Sequence, residues 1–158
     1  MKRVFSIIIL GLFIFSGCDF EIKSKSNVSF SDDSEYLQTD AHAALDRPYS
    51  QAVRVGKMLY LSGVVGRKPG EANLVEGGVV AETRQALENV RTVLEENGST
   101  MQNVVKCMCM LADIDDYAAM NTEYAKFFPK NKRPARSTFA VSLPIGAKIE
   151  IECFATVK

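Results

Sequence analysis

The sequence predicts an α+β domain, a mixed sheet with two helices on one face. Three observations carry that reading. Short strand-like runs bounded by Gly and Pro lie near both ends of the stretch from Tyr36 to Lys158. Two helical patterns lie between them. A nearly continuous apolar run, Val104 to Ala112, separates the two helices. The order is strand, strand, helix, strand, helix, strand, strand.

Tyr49–Val55 and Met58–Ser62 are the first two strands, joined by Gly56-Lys57, a two-residue hairpin signal with glycine first. Arg67 to Gly78 carries Pro69, Gly70, Gly77 and Gly78 and reads as a loop. Val79–Asn97 is the clearest helix. Ala86, Leu87, Val90, Val93 and Leu94 form an apolar stripe at helical spacing, and Asn97-Gly98 is the stop. Val104–Ala112 has one charge, Lys106, and is rich in Val, Met and Cys, which suits a strand buried on most of its surface. Asp115 or Asp116 can cap a second helix running to about Phe128, with Tyr117, Met120, Tyr124, Phe127 and Phe128 as its stripe. Ser137–Ser142 and Ala147–Val157 are the last two strands, expected to form a hairpin through Leu143-Pro144-Ile145-Gly146. Helices on one face leave the other face open, and its apolar content predicts oligomerisation through it.

The N-terminal part reads differently. Lys2 and Arg3 precede a twelve-residue uncharged run, Val4–Phe15, too short for a comfortable membrane span. Small residues then lead to Cys18. Phe15-Ser16-Gly17-Cys18 resembles a bacterial lipobox, with Phe15 where leucine is usual. The resemblance implies a signal peptide over 1–17, cleavage before Cys18, a lipid on its sulfur, and an exported, membrane-anchored lipoprotein. An ordinary secretory signal is the alternative. Residues 18–35 then form a Ser-, Asp- and Lys-rich tether, and 36–158 the domain.

Formal net charge is zero, and losing Lys2 and Arg3 leaves 17 basic against 19 acidic residues. Nucleic-acid binding, which needs a basic stripe, is therefore not expected. The one histidine, His42, excludes a multi-histidine metal site and reads as surface. Cys107, Cys109 and Cys153 have no metal-ligand spacing and read as small core side chains. A bridge from Cys107 or Cys109 to Cys153 is the alternative in an oxidising compartment.

Arg136 opens the first strand of the C-terminal pair. In the second, Ile149, Ile151 and Cys153 point one way and Glu150 and Glu152 the other. A guanidinium matches a planar carboxylate, and a carboxylate can hold or activate water. That pair suffices for hydrolysing a small anionic substrate. A solvated cross-strand ion pair is the alternative meaning of the same residues.

Six segments together resemble the RidA (YjgF-type) imine deaminases. They are P-Y-S-Q-A-V (Pro48–Val53), L-S-G (Leu61–Gly63), E-T-R-Q-A-L-E-N-V (Glu82–Val90), M-N-x-x-Y-x-x-F-F (Met120–Phe128), R-P-A-R-S-T (Arg133–Thr138) and I-E-I-E (Ile149–Glu152). The resemblance spans roughly Thr39 to Lys158. It implies a chorismate-mutase-like α+β fold, a homotrimer with clefts between subunits, and no cofactor or metal. It also implies hydrolysis of 2-imino acids or their enamine tautomers to 2-keto acids and ammonia. By the same resemblance Arg136 clamps the substrate carboxylate and Glu150 positions water. Tyr49, Ser62, Asn121 and Thr138 line the cleft. The chain departs from the family pattern at Arg47, at Val64-Val65-Gly66, and by one residue fewer between Arg136 and Leu143. A non-catalytic trimeric module binding small carboxylates is the competing reading. The endoribonuclease activity sometimes assigned to the family fits the neutral charge poorly.

Overall fold

The computed structural model describes residues 34–157. The leader, Cys18 and residues 19–33 lie outside the described residues. Ten elements follow: β1 (Ser34–Leu37), α1 (Asp40–Ala43), β2 (Ala52–Val55), β3 (Met58–Leu61), β4 (Val64–Val65), α2 (Gly78–Glu96), β5 (Val104–Leu111), α3 (Tyr117–Tyr124), β6 (Ala135–Ala140) and β7 (Ile149–Thr156). They build one sheet of order β1-β2-β3-β7-β5-β6, with the short β4 also pairing β7. The mixed sheet with α2 and α3 on one face matches the expected α+β class.

The two-strand opening forms as its turn chemistry requires. Gly56 has φ +57°, and β2 and β3 pair antiparallel around it. The strand β1 was not foreseen. It begins at Ser34, inside the stretch read as tether, and pairs antiparallel with β2. Helix α2 lays Ala86, Leu87, Val90, Val93 and Leu94 on the sheet, all buried. Strand β7 alternates without a break. Ile149, Ile151, Cys153 and Ala155 are fully buried under the helices, and Glu150, Glu152 and Phe154 face the other side. That open face also carries Tyr36, Val55, Tyr60 and Phe139, all exposed.

Two local expectations fail. Asp116 stands at the N-cap position of α3, but its side chain makes no capping bond; the capping bond falls on the 3-10 turn Ile114–Asp116 just before the helix, where Asp113 accepts from the Asp115 N–H at 3.0 Å. The C-terminal hairpin does not form. Strand β5 lies between β6 and β7, parallel to β6 and antiparallel to β7. The connection over 141–148 crosses the end of β5. Val141 N–H donates to Leu111 O and Ala112 N–H donates to Lys148 O. Eight residues suffice to pass one strand, a lateral step of roughly 10 Å. The step delivers the fully buried face of β7 to the middle of the sheet.

Candidate active site

Separating β6 from β7 also separates the two residues expected to act together. Arg136 stands opposite Cys107 on β5, in register with a fully buried core residue, so it points to the helix side. Glu150 stands opposite Met110 and points to the open side. They lie on opposite faces, two strands apart and offset by three residues, or roughly 10 Å each way in the plane. One protomer therefore does not bring Arg136 and Glu150 together. It carries two half-sites.

The first half-site is aromatic and cationic. The Arg136 guanidinium lies 4.7 Å from the Tyr124 ring centroid and 5.6 Å from that of Tyr117. Nη2 donates to the Tyr117 hydroxyl at 3.3 Å and Nη1 contacts Met120 Sδ at 3.8 Å. Tyr117, Met120 and Tyr124 share one face of α3 by their spacing of three and four. Asn121, one turn on along α3, and then Arg136 lower the Tyr117 pKa. Thr138 lies on the same side of β6, two residues on. Its Oγ1 and the Tyr124 hydroxyl are enclosed without a hydrogen-bond partner. Among the described residues no carboxylate lies within ion-pair distance of Arg136. The structure thus brings Arg136, Asn121 and Thr138 together and adds Tyr117, Met120 and Tyr124. Their spacing was visible in the sequence, where they read as core.

A buried glutamate held by two half-exposed cations ties down the helix that holds this cradle. Glu123 of α3 is almost fully buried and accepts from Arg84 Nε of α2 at 2.7 Å and from Lys126 Nζ at 2.6 Å. The hydrogen bond from Arg84, then that from Lys126, hold its carboxyl down at about 2.

The second half-site is a cleft of about 650 Å³ reached by Tyr49, Ser62 and Gly63, with His42, Arg47 and Arg67 among its walls. Ser62 Oγ donates to Ser50 O at 2.7 Å and keeps its lone pairs. Gly63 is placed against Glu150, and a Cβ there would overlap the Glu150 carboxylate. Glu150 therefore reaches the Ser62–Gly63 corner because residue 63 has no side chain. Burial, and secondarily Glu152, raise the Glu150 pKa. A carboxylate whose pKa is raised is a stronger base than an ordinary glutamate. His42 is half-buried here, not surface as its polar surroundings suggest. Its ring meets Tyr49 edge-on at 5.5 Å, and burial, then Arg47, lower its pKa. Among the described residues no three His, Cys, Asp or Glu side chains converge as metal ligands.

The profile of the family described as Endoribonuclease L-PSP matches residues 39–157. The chain is 45% identical over 109 residues to a 2-iminobutanoate/2-iminopropanoate deaminase of the goat, Capra hircus, covering 68% of this chain and 79% of that one. It is 43% identical over 124 residues to the chloroplastic Reactive Intermediate Deaminase A of Arabidopsis thaliana, covering 78% of this chain. The match spans 66% of that plant protein's length. Among solved structures, RidA from an Antarctic Psychrobacter superposes with a TM-score of 0.71 at 35% identity, covering 78% of this chain and 99% of that one. The Rid-family protein YyfA of Yersinia pestis gives 0.73 at 36%, covering 79% and 100%. Both half-sites fall inside the matched span, and the chain belongs to the Endoribonuclease L-PSP (RidA) family.

Proposed function

We propose that the protein hydrolyses 2-imino acids, or their enamine tautomers, to 2-keto acids and ammonia. One observation carries the reading: Arg136 is held by neutral aromatic partners and, among the described residues, has no carboxylate of its own, which leaves its guanidinium open to an anionic guest. Relatives at 43–45% identity bear names with that activity.

The site is completed between copies. Homotrimers are typical of the family, and the exposed apolar side of this sheet supports one here. A cyclic trimer sets the Arg136 edge of one protomer against the Gly63–Glu150 corner of the next, because a heterologous contact pairs two different patches. Arg136 clamps the substrate carboxylate through two parallel N–H···O bonds, and Tyr117 and Thr138 wall the same end. Glu150 of the neighbour orients a water on the C2 carbon and takes its proton. Oxygen bonds to C2, the C=N electrons move to nitrogen, and Glu150 returns the proton there to give the carbinolamine; Glu150 then carries the hydroxyl proton to nitrogen as C=O forms, the C–N bond breaks and ammonia leaves. The imine carbon is already electrophilic, so orientation and a held water supply most of the acceleration. The neutral charge supports a small anionic substrate over RNA.

We also carry forward the lipobox reading, which places the domain outside the cytoplasmic membrane. Cys18→Ser should release the protein from membranes, and undiminished membrane association would rule that reading out. The catalytic reading is tested by ammonia release from freshly generated 2-iminopropanoate. Acceleration lost in Arg136→Ala is expected. An assembled trimer without acceleration leaves carboxylate binding without turnover.

A further inference from the structure

The three free cysteines among the described residues are not equivalent. Cys107 of β5 and Cys153 of β7 are direct antiparallel partners in the ladder, both fully buried. Their Sγ atoms are 2.9 Å apart, inside van der Waals contact for two sulfurs. Direct antiparallel partners have Cα atoms about 4.5–5.5 Å apart, within the roughly 4.4–6.8 Å that a disulfide spans. Cys109 is opposite Ile151 and meets Cys153 only on the diagonal. A diagonal separation of about 7–8 Å is too long for that bond.

We propose that Cys107 and Cys153 are a cross-strand disulfide site, closed when the chain folds in the presence of a disulfide oxidant and open when it folds under reduction. The chemistry balances with a small disulfide. One cysteine thiolate attacks a sulfur of the oxidant and expels one small thiol. The second protein thiolate then attacks the mixed disulfide and expels the other. Two protein thiols are oxidised, one small disulfide is reduced to two thiols, and the two protons leave with them. In the folded protein the contact between the two sulfurs lowers the Cys107 pKa and raises that of Cys153. Burial pushes Cys109 up to about 12 and leaves it inert. Both sulfurs of the pair are shut from solvent in the folded protein, so the bond closes during folding.

The placement gives the bond a role. Arg136, Cys107 and Cys153 occupy one rung across β6, β5 and β7. The closed loop contains α3 and β6, the whole Arg136 cradle. The bond ties that cradle to the strand carrying Glu150. It does not depend on the deaminase reading.

The test refolds the reduced full-length chain from urea in glutathione buffer with oxidised glutathione in excess. Remaining thiols are then alkylated in denaturant and the peptides mapped by mass. We expect a Cys107–Cys153 linked peptide, an alkylated Cys109, and a Tm about 10 °C lower when the bond is reduced before the scan. Full alkylation of Cys107 and Cys153 overturns the proposal. So does a link through Cys109, or a linked protein no more stable than the reduced one. Cys153→Ala should remove the effect of reductant on Tm; if that variant does not fold, the wild-type peptide map decides alone.

Discussion

The two halves of the site are assembled in opposite ways. Around Arg136, bulk does the work: two tyrosine rings and a methionine fill the space about a guanidinium, and the Glu123 cluster fixes the helix that carries them. Around Glu150, absence does it: Gly63 leaves a gap that the carboxylate occupies. The cationic half is built and stiffened before any ligand arrives. The acidic half carries the strain of a half-buried carboxylate beside another, Glu152. The difference teaches which residues tolerate change. Fill can be trimmed gradually, whereas a gap is lost with one methyl group.

The largest effect should come from separating the halves genetically. Arg136→Ala and Glu150→Gln should each lower kcat/KM by about 1,000-fold or more while leaving the assembly folded. Unfolding the two inactive proteins together and refolding them at equal concentration should restore about a quarter of wild-type activity, since random assembly pairs an intact Arg136 with a neighbour's intact Glu150 at that rate. No recovery, with mixed trimers shown by native mass spectrometry, would place both residues in a single-protomer site and break the contrast.

Next come the two glycines. Gly63→Ala should cost about 100-fold in kcat and little stability, because only the tip of a flexible glutamate must move. Gly66→Ala drives its methyl into the backbone of Glu82 and should lower Tm by about 10 °C. Equal thermal loss in both would mean that Gly63 is structural.

Glu123→Gln should lower Tm by about 5 °C at neutral pH through weakened bonds to Arg84 and Lys126. The folded carboxyl is held down at about 2, so its contribution is complete above the usual carboxylate range. It fades as pH falls from about 4.5 towards 2, and the variant and wild type should converge in melts at the acid end.

The smallest effect concerns Glu150. Its pKa is raised, so activity should fall on the acid side at a pH above the ordinary glutamate value. The same shift means that its ionisation costs stability: the stabilising contribution is full below the unfolded pKa and lost as pH rises through the folded one. Glu150→Gln should therefore melt no lower than wild type at pH 7. Glu152→Gln should move the acid limb of the rate profile down by a few tenths of a pH unit.

Most of the fold was legible because it rests on local periods. The stripe of α2, the glycine turn at Gly56 and the alternation of β7 each state their own conformation. Strand order was not legible. Nothing within 141–148 says that the chain passes over β5 before returning, and only packing of the Ile149–Ala155 face decides it. The site suffered accordingly. Arg136 and Glu150 were recognisable as residues, but their placement on opposite faces depends on that crossing. Tyr117 and Tyr124 read as core because a stripe facing an arginine has the same period as one facing leucines. His42 read as surface because its neighbours are polar, and its ring nevertheless turns inward onto Tyr49.

The central position of β7 has a consequence for biosynthesis. The strand that joins β3 to β5 comes after every other described strand in chain order. Until residues 149–156 have emerged, β1–β3 and β5–β6 are two separate ribbons with nothing between them, and most sheet contacts link distant parts of the sequence. Closure of the sheet is therefore held back until those residues are available, and deleting them would remove the middle of the sheet rather than its edge.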